Sequence, residues 1–202
     1  MNKVKICGIT NLEDALSCAN LEVDFIGFIF YEKSPRYILP EQAKIICDKL
    51  AGNRIKKVGV FVNESIDKVN KIGDELNLDF IQLHGNENND YIKKIKLETI
   101  KAFSVSNSLD DSYTLLNSTY WLFDTFDKDL YGGTGKSFNW GLISKIVDRE
   151  KIILSGGLSI DNINKAMKES NTSFFDICSG VEETPGTKDI KKLETIVRLI
   201  KQ

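Results

Sequence analysis

The 202-residue sequence has little of what metal-dependent, secreted, membrane or nucleic-acid-binding proteins need. It holds one histidine and four cysteines without a C-x-x-C pair, so neither a zinc site nor a disulfide framework is expected. The net charge of −2 lacks the basic surplus of nucleic-acid and anionic-membrane binders. No apolar run approaches the ~20 residues of a membrane span, and no charged segment precedes an apolar one as in a signal peptide. We therefore expect a cytosolic protein that binds neither nucleic acid nor membrane nor metal.

What is present is a regular alternation of β-rich and helical segments. The 42% hydrophobic and 28% charged content is that of an ordinary globular protein, and the length suits one domain over residues 1–202. The predicted strands are Lys3–Gly8, Asp24–Phe30, Lys57–Val62, Asp79–Leu83, Thr99–Val105, Tyr120–Thr125, Lys151–Ser155 and Phe174–Cys178. Eight strands joined by helical connections predict parallel pairing and a closed (β/α)8 TIM barrel.

The segments between the strands predict helices of unequal strength. Capping signals mark two of them: Thr10 with Glu13 forms a possible capping box, and Pro40 stands in a first turn. The predicted helices are Asn11–Asn20, Pro40–Leu50, Ser65–Leu76, Asn88–Lys96, Trp140–Asp148, Ile160–Glu169 and Ile190–Lys201, with only a turn or two over Leu109–Asn117. Cys18 and Cys47 fall within these helices and are interpreted as small buried apolar residues.

Strand parity predicts which reactive side chains reach the mouth of the barrel. Active sites of such barrels lie at the carboxyl ends of the strands, where alternate side chains face the axis. In strand one, apolar Val4 and Ile6 should face the helices, which turns Cys7 inward. The same reasoning turns His84 and Asp124 inward at the ends of strands four and six. Three reactive groups should therefore meet at one mouth.

Glycines follow the last two strands, at Gly156-Gly157 and in the Ser179-Gly180 sequence. Glycine allows the backbone to approach an anion closely, and barrels of this kind often bind phosphate after strands seven and eight. Either glycine segment alone could be a tight turn. Together they predict a phosphate site built from the backbone N–H groups of Gly156, Gly157, Ser179 and Gly180.

A further glycine-rich segment, Tyr131–Gly135, runs into Lys136-Ser137 and superficially resembles a nucleotide-binding P-loop. The P-loop pattern needs glycine five residues before Gly135, where this chain has Leu130. An ATPase or kinase is therefore a poor interpretation, and a mobile lid after strand six fits better.

Several motifs, in order, resemble those of the phosphoribosylanthranilate isomerase family across essentially the whole chain. They read KICGIT, SPRYI, VGVFVN, IQLHG, FDT, GGTGKSFNW, LSGGL and SGVE followed by PGTKD. The family often has an acidic residue where Asn86 stands and a serine where Cys178 stands. Neither position is expected to carry chemistry.

The resemblance implies an Amadori rearrangement of N-(5′-phosphoribosyl)anthranilate in tryptophan biosynthesis, completed by proton transfers without a cofactor. Asp124 matches the family's general acid, which must be protonated, and Cys7 matches its general base, which must be a thiolate. Lys5, on the same face at ~7 Å along the strand, could favour the thiolate. The alternatives are that Asp124 caps the following loop and that Cys7 is an inert core residue.

The resemblance also implies three substrate-binding residues. Arg36 matches the ligand of the anthranilate side, because a guanidinium suits a carboxylate, although loop arginines are often merely solvated. Asp176 matches a carboxylate that contacts the substrate in the family. The alternative is that it serves only as a residue at the start of its strand. His84 either orients the substrate or fills the mouth.

Three other interpretations remain to be weighed. The histidine-pathway sugar isomerase performs the same rearrangement but has aspartates in its family where this chain has Cys7. Indole-glycerol-phosphate synthase needs catalytic lysines and a longer N-terminus. A catalytically silent phosphate-binding barrel is disfavoured because both members of the acid–base pair are present. Whether the protein is a monomer or a homodimer is not evident from the sequence.

Overall fold

Eight parallel strands close into a barrel in the computed structural model, which describes residues 2–106, 108–109, 111–125 and 138–202. The strands are β1 Lys3–Cys7, β2 Phe25–Ile29, β3 Lys56–Phe61, β4 Phe80–Leu83, β5 Glu98–Val105, β6 Tyr120–Thr125, β7 Ile152–Leu154 and β8 Phe174–Ile177. Each strand pairs with its sequence neighbour, and β8 pairs with β1 to close the ring. The predicted (β/α)8 barrel is confirmed.

The helices outside the barrel are α1 Leu12–Asn20, α2 Pro40–Lys49, α3 Ile66–Glu75, α4 Asn89–Ile92, α5 Ile163–Ser170 and α6 Ile190–Lys201. Within the described residues, short 3₁₀ helices accompany them at Asp111–Leu115, Trp140–Lys145, Arg149–Lys151 and Ser179–Val181. Cys18 in α1 and Cys47 in α2 are buried, as predicted. No helix in the described part of the chain is long and apolar enough to cross a membrane.

Three helix predictions differ from the structure. The helix predicted at Asn88–Lys96 ends at Ile92, and the backbone N–H of Lys96 instead donates to the side chain of Asn70. The segment Trp140–Asp148 forms a 3₁₀ helix that ends at Lys145. Helix α5 starts at Ile163 because Asn162 bonds the backbone of the preceding loop at Gly157 and Ser159.

The predicted cap of α1 is also wrong. Asn11, not Thr10, accepts the backbone N–H of Asp14 at 2.9 Å and occupies the N-cap. The hydroxyl of Thr10 donates instead to the carbonyl of Gly186, in a hairpin that the sequence analysis did not predict. This hairpin, β9 Glu182–Thr184 and β10 Thr187–Lys188, lies between β8 and α6.

The barrel interior changes from apolar to polar along its axis. At the amino end of the strands it is filled by apolar side chains, namely Phe25, Val58, Phe80, Ile100, Ala102, Leu122, Ile153 and Phe174. Towards the carboxyl end, polar and charged side chains line the pocket on β1, β4, β6 and β8, namely Cys7, Gln82, Asp124 and Asp176, whereas β2 and β3 contribute apolar Ile29 and Val60. The predicted parity holds at β1, where Val4 and Ile6 join the core between barrel and helices.

Candidate active site

A pocket opens at the carboxyl end of the barrel, where the sequence predicts the active site. It is lined by Cys7, Arg36, His84, Asp124, Gly156, Gly157, Asp176 and Ser179, together with Ile29, Tyr31, Val60, Gln82, Ser155, Leu158 and Cys178, among others. Of the residues proposed for the site, Gly180 alone does not line this pocket. The three inward-facing groups predicted from parity therefore do meet at one mouth.

Cys7 ends β1 with its thiol among other polar groups, almost completely buried. The Cys178 side chain hydrogen-bonds to it, and this bond is the main cause that lowers the pKa of Cys7 to about 6. Burial opposes the shift, whereas the charges of Lys5 and Lys188 support it. The Cys178 thiol is the donor, and the same bond together with burial holds the pKa of Cys178 well above its ordinary value. Cys7 is thus set up as a thiolate at neutral pH.

The layer below Cys7 holds a fully buried ion pair. Lys5 Nζ lies 2.9 Å from Asp176 Oδ1, and Ser155 Oγ lies 3.4 Å from Asp176 Oδ2. Burial opposes a charged lysine, but Asp176 and Cys7 together raise the pKa of Lys5. Lys5 therefore remains cationic beneath the thiol, as the sequence analysis expected, and Asp176 serves first as its counter-ion.

Asp124 ends the inner face of β6 at the mouth. Its Oδ1 accepts the backbone N–H of Thr125 at 2.7 Å, and its Oδ2 lies 3.5 Å from His84 Nε2. On the other side of the ring, Gln82 Nε2 lies 3.0 Å from His84 Nδ1. With the amide placed this way, Nδ1 accepts and Nε2 carries the proton that faces Asp124. His84 thus links the strand-four end to the Asp124 carboxylate.

Arg36 reaches the pocket from the loop after β2, and one edge of its guanidinium is already occupied. Nε and Nη2 donate to the Glu182 carboxylate at 2.7–3.0 Å. Lys188 Nζ lies 3.0 Å from the same carboxylate and donates to the Cys7 carbonyl at 2.7 Å. Burial opposes ionisation of Glu182, but its bonds to Arg36 and Lys188 lower the pKa of its carboxyl group. The β9–β10 hairpin therefore orients Arg36 and supports the end of β1.

The two glycine loops lie side by side at the mouth. Gly156 and Gly157 both adopt positive φ, 89° and 66°, which favours glycine. A Cβ on Gly180 would collide with the carbonyl of Leu158, so the loop after β8 packs directly on the loop after β7. Within the described residues, the backbone N–H groups of Gly156, Gly157, Ser179 and Gly180 donate no hydrogen bond to a protein acceptor. These loops could cradle an anion.

The sequence analysis missed several residues of the site. Cys178, Glu182 and Lys188 were not assigned roles, although the SGVE and PGTKD motifs contain the last two. Gly27 was also missed: it stands opposite Cys7 in the β1–β2 register, and an added Cβ would lie 2.9 Å from Cys7 Sγ. The predicted lid, Tyr131–Gly135, lies outside the described residues.

The described residues also bear on metal binding. Among residues 2–106, 108–109, 111–125 and 138–202, no group of three or more His, Cys, Asp or Glu side chains is placed to hold a metal ion. The charged groups below and beside the mouth have protein partners instead, Lys5 with Asp176 and Glu182 with both Arg36 and Lys188.

Comparison with known proteins identifies the family. The family model of N-(5′-phosphoribosyl)anthranilate (PRA) isomerase matches residues 4–199. The chain belongs to the PRA isomerase family. Its sequence is 43% identical to the N-(5′-phosphoribosyl)anthranilate isomerase of Aquifex aeolicus over 203 residues and 41% identical to that of Trichlorobacter lovleyi over 204, covering 100% of this chain and 99% of each relative.

Solved PRA isomerase structures share the fold. The crystal structure from Thermotoga maritima superposes with a TM-score of 0.89 at 38% identity, covering 100% of this chain and 99% of that one. A second structure, a PRA isomerase complex with reduced 1-(o-carboxyphenylamino)-1-deoxyribulose 5-phosphate, has a TM-score of 0.85 at 38% identity and the same coverage.

Replacing Gly27 with alanine should displace the thiol of Cys7, because Gly27 lies on β2, directly beside Cys7 on β1. The new Cβ would press on Cys7 Sγ and on Lys5 Nζ, which lies 3.3 Å away, and would move the thiol from its place. We expect kcat for PRA isomerisation to fall by ~10²-fold, the scale expected for a displacement of about 1 Å in an active site.

Gly59→Ala is the matched control. An added Cβ at Gly59 meets Leu78 at 2.7 Å and Phe61 at 2.9 Å, away from the mouth. Both variants should lose ~1–3 kcal/mol of unfolding free energy from overpacking, measured by urea denaturation. Equal kcat values in the two variants would show that Gly27 does not position Cys7.

Proposed function

We propose that this chain isomerises N-(5′-phosphoribosyl)anthranilate to 1-(2-carboxyphenylamino)-1-deoxyribulose 5-phosphate, an Amadori rearrangement in tryptophan biosynthesis. The observation that carries the proposal is that Cys7 and Asp124 line one mouth, between the glycine loops and Arg36. The reaction opens the ribose ring to a Schiff base and then removes the C2′ proton. It needs an acid and a base on the two sides of one sugar.

Asp124 is the proposed general acid, protonating the ribose ring oxygen. Its carboxyl group is buried, and only its Oδ1 is engaged by the backbone N–H of Thr125. The second oxygen faces His84 and the pocket. His84 is proposed to orient this oxygen, which is a different role from the two predicted for it, orienting the substrate or filling the mouth.

Cys7 is the proposed general base, removing the C2′ proton. A thiolate is needed, and three features favour it: the Cys178 thiol, the Lys5 ammonium below and the Lys188 ammonium beside the carbonyl of Cys7. The pKa of about 6 places Cys7 close to the range in which a general base works best near neutral pH.

Arg36 and Asp176 complete the proposed substrate contacts. With Nε and Nη2 held by Glu182, the Nη1 side of Arg36 remains for the anthranilate carboxylate. Fixing one edge of the guanidinium in advance reduces the entropy lost when the other edge binds. Asp176 lines the pocket beside Cys7 and, while paired with Lys5, can still accept a substrate hydroxyl.

The phosphate is proposed to lie against Gly156, Gly157, Ser179 and Gly180. Among the described residues, their N–H groups donate to no protein acceptor, and the two loops are adjacent. Both observations support this assignment, as does the usual phosphate position in such barrels. The proposed reaction consists of proton transfers alone and therefore requires no metal or organic cofactor. One of the similar solved structures derives from a dimeric PRA isomerase of T. maritima.

The rival activities fit the site less well. The histidine-pathway sugar isomerase family has aspartates where this chain has Cys7, and this thiol is placed and polarised as a base. A barrel that only binds phosphate, without catalysis, does not need a buried lysine beneath a thiolate. Burying such charges costs free energy unless they are paired, which makes their presence at the mouth more consistent with catalysis.

Cys7→Ser should retain the fold and lose most turnover, because an un-ionised hydroxyl is a far weaker base than a thiolate. We expect kcat to fall ~10²–10⁴-fold, measured by the fluorescence change as the anthranilate adduct is consumed. In the wild type, kcat/KM should decline as the pH falls through about 6, because protonation removes the base. A variant retaining more than about a tenth of wild-type kcat would contradict the assignment.

Asp124→Asn should lower kcat ~10²–10⁴-fold with little change in affinity for a reduced product analogue. The amide can still hydrogen-bond to the ring oxygen but cannot protonate it. Steady-state kinetics measures kcat, and calorimetric titration measures the affinity for the product analogue. Near-normal kcat with a much raised KM would make Asp124 a binding residue instead.

Gly157→Val should raise KM about 10–100-fold, as expected for one hydrogen bond to a charged group worth ~1.5–3 kcal/mol, without changing the pH profile of kcat. Inorganic phosphate should inhibit the wild type competitively and the variant more weakly. Gly52→Val is the control, since Gly52 also has positive φ, at 82°, but stands in open space. An unchanged inhibition constant for phosphate in Gly157→Val would place the phosphate elsewhere.

A further inference from the structure

Two free thiols face each other across the seam that closes the barrel. Strands β1 and β8 pair in parallel with Lys5 opposite Asp176 and Ile6 opposite Ile177. Cys7 and Cys178 are the residues that follow this last pair, at the carboxyl ends of the two strands. Both cysteines are free and both line the pocket, and a Cβ added to Gly8, the residue after Cys7, would lie 3.2 Å from Cys178 Sγ.

Strand parity puts the two thiols on the same inner face. Lys5 and Asp176 stand two residues before the cysteines, and their side chains meet inside the barrel at 2.9 Å. Adjacent strands lie ~4.8 Å apart, within the ~4.4–6.8 Å Cα separation that a disulfide spans. The two sulfurs can therefore be joined with little movement of the backbone.

The two sulfurs also differ in chemical state. Cys7 is the thiolate and therefore the nucleophile, whereas Cys178 is held as the neutral thiol that donates to it. The other two cysteines lack this environment. Burial raises the pKa of Cys18 to about 12 and that of Cys47 to about 11, which leaves them unreactive within α1 and α2.

We propose that Cys7 and Cys178 form a reversible oxidative modification site, in which a hydroperoxide converts the pair to a disulfide and switches the enzyme off. The Cys7 thiolate attacks one peroxide oxygen, the O–O bond breaks, and Cys7 becomes a sulfenic acid while hydroxide leaves. Cys178 then gives up its proton and attacks the Cys7 sulfur, forming the S–S bond as the S–O bond breaks. With hydrogen peroxide, two thiols lose two electrons and the oxidant becomes two waters.

The consequence for activity rests on the proposed role of Cys7 as the general base. A disulfide leaves no thiolate to take the C2′ proton. It also protects Cys7, because a sulfenic acid trapped by a neighbouring thiol is not oxidised further to the irreversible sulfinic acid. A dithiol reductant returns both residues to thiols.

The test is treatment of the purified full-length protein with hydrogen peroxide, followed by mass spectrometry of the intact chain and of its peptides. We expect the wild type to lose the mass of two hydrogen atoms, to yield a Cys7–Cys178 linked peptide, and to lose turnover. Dithiothreitol should restore both the mass and most of the turnover. Cys47→Ala should behave in the same way, because Cys47 takes no part.

Cys178→Ser is the informative variant, since its hydroxyl keeps a hydrogen-bond donor beside Cys7 but cannot form a disulfide. Relative to its own untreated activity, it should lose turnover irreversibly and gain two oxygen atoms at Cys7. Recovery of only sulfinic or sulfonic acid at Cys7 in the wild type, or of a disulfide with Cys18 or Cys47, would overturn the proposal. A Cys7–Cys178 disulfide with retained turnover would leave the modification site standing and overturn the general-base assignment.

Discussion

The pairing of β8 with β1 is the contact on which the site depends. It closes the barrel and brings the two ends of the chain together, so that the inner face of β1 lies beside the inner face of β8. Lys5 then meets Asp176, and one layer higher Cys7 meets Cys178. The environment of the proposed base Cys7 is a consequence of that register, because a shift of either strand by one residue would turn the side chains of that strand outward.

Among the described residues, the buried cations Lys5, Arg36 and Lys188 of the upper half of the barrel are each paired with a carboxylate. An isolated buried ammonium or carboxylate costs several kcal/mol, and pairing with good geometry offsets this penalty. Lys5 is paired with Asp176, and Glu182 is shared by Arg36 and Lys188. The apolar layer beneath, from Phe25 to Phe174, supplies the hydrophobic stabilisation that a polar mouth lacks. Along the barrel axis, the apolar layer at the amino end of the strands thus stabilises the fold, and the polar layer at the carboxyl end holds the reactive groups.

The β9–β10 hairpin connects two parts of the site that lie far apart in the sequence. Glu182 holds Arg36 from the loop after β2, and Lys188 holds the carbonyl of Cys7 at the end of β1. The hairpin is itself attached through Thr10, which bonds Gly186, and through Asp14, which accepts the N–H of Lys188. The proposed carboxylate-binding group and the proposed base are consequently held by one rigid element.

Local and periodic properties of the sequence determined the barrel, its eight strands and the inward direction of Cys7, His84 and Asp124. Such properties depend on neighbours a few residues away: the alternation along a strand, a proline in a first turn, glycines after a strand. The motif order indicated the family. The extent of α4 was not predictable in this way, because a side chain from another helix, Asn70, takes the N–H of Lys96.

Only the tertiary structure decided which groups tune the reactive ones. The hydrogen bond from Cys178 to Cys7 spans most of the chain, and so does the bond from Lys188 to the Cys7 carbonyl. Arg36 was predicted to bind the anthranilate carboxylate, but the sequence did not reveal that Glu182 occupies one edge of its guanidinium. Hydrogen bonds and ion pairs act over a few ångströms in space, whereas the sequence records only separation along the chain. For that reason the sequence predicted which side chains meet at the mouth, and the fold determined which groups surround Cys7 and Arg36.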